Sequence, residues 1–236
     1  GVGPPNALEV DTATGNVGIG TSTPAQPLDV IGNIHASGTI ASGSSITIDG
    51  TSGSERISSS ASLDLRTAAG RALRLENNAT SPNIIGGLSA NVMTAGVVGG
   101  TIGGGGNPFI GVNSVTDTYG TVGGGYRNQA GDDAGSTNGA DSATVGGGRE
   151  NTASGGVSTV PGGFFNVAGG HASFAAGFGA QVRDTFASGD SDGDEGTFAW
   201  ADTTNAIFAS TGSKQFLIRA GGGMRLATGD GTTPRF

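Results

Sequence analysis

The chain contains no cysteine, so neither disulfides nor thiolate metal sites hold any part of it together. Charge is scarce as well: 13% of residues are Asp, Glu, Lys or Arg, against roughly 25% in ordinary soluble domains. That charge sums to −8 with no run of Lys and Arg in the sequence, which argues against nucleic acid or an anionic membrane surface as partner. No apolar run approaches the ~20 residues that cross a bilayer, so membrane insertion is not expected, and Gly1–Pro5 does not read as a signal peptide. Aromatics make up only 6% of 236 residues, and large core residues are few for that length. A thick single-chain core is therefore not expected, and burial between chains is the natural remedy.

What is abundant is glycine, 48 residues of it. Glycine costs about 1 kcal/mol per helical position, and Ser, Thr and Asn favour turns, so long helices are not expected. Collagen is excluded by the absence of a strict Gly-X-Y period and by only 8 prolines. The glycines instead punctuate a repeat of about fifteen residues, seen in Thr121-Val122-Gly123, Thr144-Val145-Gly146 and Thr159-Val160-Pro161. In each copy an Asn stands seven residues after the Thr (Asn128, Asn151, Asn166) and an Ala nine after it (Ala130, Ala153, Ala168). Such a period marks a solenoid, in which each repeat is one coil and neighbouring coils bury each other.

Period-two alternation places Ala143 with Val145, Ser158 with Val160, and Ser173 with Ala175 on one strand face, small enough for a thin interior. The Thr of each unit points the other way. The Gly triplets are expected at corners, and the Asn at a turn, since Asn tolerates left-handed geometry. Two units are longer than the rest, with the surplus in Pro108–Gly120 and Gln129–Ser142, and insertions of this kind map to loops on the functional face. The chain divides into four segments: short strands over 1–40, weaker strands and a linker over 41–82, the repeat array over 83–188, and better-filled strands over 189–236. Strands are expected at Ala7–Asp11, Val17–Gly20, Leu28–Ile31, Ser45–Ile48, Ser62–Arg66 and Ala72–Glu76, with Asn77–Pro82 a linker.

The run Gly15-Asn16-Val17-Gly18-Ile19-Gly20-Thr21-Ser22-Thr23-Pro24, with Leu28-Asp29-Val30 and Gly32-Asn33-Ile34 after it, resembles a segment of phage and bacterial tail-fibre-like proteins. The stretch from Asn83-Ile84-Ile85 through the Thr-Val-Gly units to Phe216-Leu217-Ile218-Arg219-Ala220 resembles the β-roll of the same proteins, and its units are similar to those in the head of trimeric autotransporter adhesins. The adhesin-head unit runs Ser-Val-Ala-Ile-Gly where this chain has Thr-Val-Gly-Gly-Gly. The resemblance implies an all-β fold, an elongated left-handed parallel β-roll with short strands before and after it, in a parallel homotrimer. It implies an extracellular place on a fibre, virion tail or cell surface, attachment to a surface glycan or protein receptor, and contact with other fibre or baseplate subunits. The family's C-terminal chaperone is not visible after Ile218, so a processed or partial chain is expected.

No catalytic residue emerges. The two histidines, His35 and His171, lie in unrelated segments, and the glycines of 96–106 lack the Lys-Ser/Thr ending of a phosphate loop. Asp190, Asp192 and Asp194 alternate in a Gly-containing run, as the oxygen ligands of a calcium ion do. Yet Ala201 stands where a bidentate Glu is wanted, and a solvated acidic turn is the competing reading. No other cofactor is expected. A ladder of large side chains precedes each Asn: Tyr126-Arg127, Arg149-Glu150 and Phe164-Phe165. Aromatic and Arg side chains suit ligand contact, and interchain packing is the alternative. Two further functions compete with a fibre: a tailspike-like solenoid that degrades glycan, which needs paired carboxylates, and an ice-binding solenoid presenting Thr files.

Overall fold

The computed structural model describes residues 8–31, 59, 61–68, 70–189, 191–204 and 206–224. The protein is nearly all β, with parallel pairings dominant, and divides into two units, Gly1–Arg56 and Ile57–Phe236. In the first unit β1 (Leu8–Val10) runs antiparallel to β2 (Val17–Ile19), which runs parallel to β3 (Leu28–Val30). The β1–β2 turn is held by the Asp11 carboxylate, which accepts from the Ala13 N–H at 2.9 Å and the Thr14 hydroxyl at 2.7 Å. These bonds, the Thr14 one foremost, hold the Asp11 carboxyl below the usual range. The strand expected at Ser45–Ile48 lies outside the described residues.

The second unit opens with a hairpin, β4 (Leu63–Thr67) and β5 (Gly70–Glu76), whose strand β5 pairs antiparallel with β6 (Asn83–Gly86). That pairing crosses the expected boundary at 82/83, so Asn77–Pro82 is a tight connection within one sheet. From there the chain alternates between two parallel sheets. The first sheet takes β6, β8 (Thr101–Ile102), β10 (Thr121–Val122), β12 (Thr144–Val145), β14 (Thr159–Val160), β17 (Phe174–Phe178), β19 (Phe198–Ala201) and β21 (Phe216–Arg219). The second takes β7 (Val92–Met93), β9 (Ser114–Val115), β11 (Gln129–Ala130), β13 (Thr152–Ala153), β16 (Val167–Ala168), β18 (Ala180–Val182) and β20 (Phe208–Ala209). A short strand β15 (Gly163–Phe164) pairs beside β17, and α1 (Thr185–Ser188) is a single turn capped by Asp184.

Each circuit thus adds one strand to each sheet, in the register expected from the repeat: Thr121 pairs with Thr144, and Thr144 with Thr159. The file extends to Thr101 before them and to Phe174, Phe198 and Phe216 after them. Between the sheets Val122, Val145 and Val160 meet Ala130, Ala153 and Ala168, all completely buried. Ala143, Ser158, Ser173 and Ala175 are buried on the same face, as alternation requires. The boundary expected at 188/189 is crossed as well, because β19 pairs with β17.

The Asn positions differ from expectation. The left-handed non-glycine residue of each corner is the one before the Asn, namely Arg127 (φ 57°), Glu150 (φ 56°) and Phe165 (φ 58°). Asn128, Asn151 and Asn166 point inward instead and are completely or almost completely buried. The Asn151 Nδ2 donates to the Gly147 carbonyl of its own circuit (3.0 Å) and to the Gly163 carbonyl of the next (2.9 Å). Its Oδ1 accepts the backbone N–H of Asn166 at 3.0 Å. The same pattern begins at Asn91 and Asn113 and ends where the Asn166 Oδ1 accepts from Ala180. The side chains therefore give partners to the corner carbonyls and to the buried N–H of the next Asn.

Register also relocates the insertions. Asn113 is the ladder member of its circuit, so the surplus expected in Pro108–Gly120 shrinks to a turn closed by the Asn107–Gly111 bridge, with Phe109 at its exposed tip. The segment Gln129–Ser142 begins with β11, and only its part beyond Ala130 is loop. That loop is organised by Asp117, completely buried, which accepts from the backbone N–H groups of Asp132 (3.0 Å) and Ala140 (3.2 Å).

Candidate functional site

The large side chains before each Asn do not form one ladder. The corner geometry splits them into two files, which touch where the Phe164 and Phe165 ring centres stand 6.1 Å apart. Tyr126, Arg149, Phe164 and Phe178 stand in register on the side of the first sheet. There the Arg149 guanidinium carbon lies 3.9 Å from the centre of the Phe164 ring, its Nη1 donates to the Tyr126 hydroxyl at 3.2 Å, and Phe164 meets Phe178 edge-on at 5.0 Å. Arg149 thus spends its donor and its cation–π contact within this file.

Arg127, Glu150 and Phe165 form the second file, turned toward the second sheet by their left-handed backbone. With Gln129 and Thr152 from the outer face of β11 and β13 they line an open groove of about 460 Å³. Arg127 and Glu150 approach at 3.8 Å, and Arg127 remains well exposed. An aromatic ring, a loosely engaged ion pair, an amide and a hydroxyl therefore share one concave surface, a lining suited to a polar ligand with an apolar face.

A third surface lies outside the expected set. The rings of Phe174 and Phe198 stack at 4.8 Å and those of Phe198 and Phe216 at 4.9 Å, on the outer face of the first sheet. Trp200 and Ile218 pair in register beside them, and Phe216 is 72% exposed. The signal was present in the sequence as Phe174-Ala175-Ala176, Phe198-Ala199-Trp200 and Phe216-Leu217-Ile218, an aligned triplet in which Phe takes the Thr position.

In the acidic run Asp194 is committed to an internal pairing. Asp194 is buried and makes a paired contact with Arg183, 2.7 Å from Nε and 3.0 Å from Nη2, and it also accepts from the Ser210 hydroxyl. Burial alone would raise its carboxyl, but these hydrogen bonds and the Arg183 charge outweigh it and hold Asp194 below the usual range. Asp192 is exposed, and Asp190 lies outside the described residues. Among the described residues no group of three His, Cys, Asp or Glu could hold a metal ion. The physical reason is that Asp194 faces inward to pin the last circuits together. The chain matches no protein-family model, no curated protein and no solved structure.

Proposed function

We propose that the chain is a structural and adhesive segment of a trimeric extracellular fibre, built on a left-handed parallel β-roll that displays a surface for attachment to a host or surface glycan. The observation that carries this reading is an inversion of side-chain size. Val and Ala, with Ile85 and Ile102, fill the interior, while Phe216, Trp200 and Ile218 stand outside on the first sheet and Leu8, Ile19 and Leu28 stand outside on the N-terminal strands. A three-stranded sheet with its Leu and Ile side chains in water has little stability of its own, and apolar surface of this kind is removed by association. The strand-by-strand alternation between two parallel sheets supports the roll, since it is how a solenoid winds.

The two sheet faces then divide the work. The aromatic face of the first sheet packs against neighbouring copies, and the groove at Arg127, Glu150 and Phe165 stays outward for the target. Sedimentation equilibrium tests the assembly: a mass three times the 22.8 kDa chain is expected. The paired substitution Trp200→Asp and Phe216→Asp is expected to yield a folded monomer. A wild-type protein that remains monomeric at all concentrations would overturn the reading.

A further inference from the structure

Arg66, Arg71 and Arg74 are three of the chain's 11 basic residues, and the β4–β5 hairpin brings them to one pocket of about 390 Å³. Arg71 is only 9% exposed. Its Nη2 donates to the backbone carbonyl of Ser89 at 2.8 Å and lies 3.5 Å from that of Asn91. Among the described residues no carboxylate pairs with it. Its hydrogen bonds go to carbonyls alone, and the Asp64 charge that acts on it is already bonded to Arg74, so this guanidinium lacks the counter-charge of its own that burial ordinarily demands.

The neighbouring charges sharpen the imbalance. Strand register sets Arg66 directly opposite Arg71, a like-charge cross-strand pair that weakens a hairpin. Asp64 is taken up by Arg74, at 2.7 Å and 3.0 Å, and reaches Arg66 at 3.6 Å. Glu76 accepts from the Asn83 amide at 3.1 Å. Three guanidinium groups therefore face two carboxylates, and the surplus positive charge belongs to the most buried of the three. We propose that this pocket binds a single oxyanion group of a ligand, with Arg71 as its deep donor and Arg66 closing over it from the exposed side. A planar guanidinium fork matches a carboxylate, sulfate or phosphate. The chain's net charge of −8 favours a ligand with one such group over a polyanion. The proposal does not depend on the fibre reading.

The probes are sodium sulfate, sodium phosphate and N-acetylneuraminic acid, a sugar bearing one carboxylate, each titrated at constant ionic strength with chloride as reference. Saturable binding is expected by calorimetry, with a rise in melting temperature. Tighter binding of the sugar acid identifies an acidic glycan as source, and tighter binding of sulfate or phosphate identifies an ester or the free ion. Arg66→Ala is expected to weaken binding about tenfold and Arg71→Gln to abolish it, while Lys214→Ala leaves it unchanged. In chloride buffer without the oxyanion Arg66→Ala should melt no lower than wild type, because it relieves the like-charge pair, and it should fall below wild type once the oxyanion is saturating. Absence of saturable binding by any probe, or binding retained in Arg71→Gln, overturns the proposal. If Arg71→Gln fails to fold, the crossover expected for Arg66→Ala decides, and its absence overturns the proposal equally.

Discussion

At the scale of single residues, stability rests on the buried Asn column and on the glycine beside it. Removing the Asn151 side chain leaves the Gly147 and Gly163 carbonyls and the Asn166 N–H without these partners. The Asn166 N–H is the buried one of the three, and orphaning it costs about 1–3 kcal/mol, while the Gly163 carbonyl keeps the Arg149 N–H. Asn151→Ala is thus expected to be among the most damaging single substitutions in the array, as read by chemical denaturation. The glycines separate into two kinds. Gly148 has φ +87°, and a Cβ there would overlap the Gly163 carbonyl oxygen, whereas around Gly147 nothing lies closer than the Gly124 carbonyl at 4.0 Å. Gly148→Ala should therefore destabilise by more than about 1 kcal/mol, and Gly147→Ala should stay near neutral. Equal effects of the two would remove the close-approach account of the triplet.

At the scale of elements, the last circuits are tied by Arg183, Asp194 and Ser210, which join the segment after β18 to the acidic run and to the end of β20. Because Asp194 is held below its ordinary range in the folded chain, its contribution is present above about pH 4 and is lost as pH falls through the lowered value. Once the intrinsic slowing of exchange in acid is divided out, the protection of β19, β20 and β21 should fall on acidification before that of β10 to β14, and Arg183→Leu should remove the difference. How much of this was legible depends on the physics of pairing. Parallel strands of like sequence stack like on like, so the Thr-Val register and the buried Val and Ala positions could be read from spacing. The column of Asn was legible in place but not in role. Local propensity assigns left-handed backbone to Asn, whereas tertiary packing imposes it on Arg127, Glu150 and Phe165, whose residue types disfavour it. The Arg183–Asp194 pair and the meeting of Arg66 with Arg71 depend on contacts between separate strands that no local pattern announces.

At the scale of the whole molecule, the proposed assembly places copies against the outward aromatic face, and the chain carries its own reporter of that. Trp200 is the only tryptophan, and it stands on the outer face of the first sheet, 38% exposed in the single chain. If copies pack there, its indole is transferred from a partly aqueous to an apolar setting on assembly. Dilution should then shift its emission to longer wavelength along the same concentration curve that sedimentation gives for loss of the trimer. Mass action adds a second signature, because an assembly that forms only from folded chains melts at a temperature that rises with protein concentration. Phe216→Asp places a carboxylate in the neighbouring file without touching Trp200's own strand pairing. That variant should show the long-wavelength emission at every concentration, with far-ultraviolet circular dichroism unchanged. A trimer whose Trp200 emission is insensitive to dilution through its dissociation would move the interface away from this face, and the groove at Phe165 would become the next surface to consider as buried between chains.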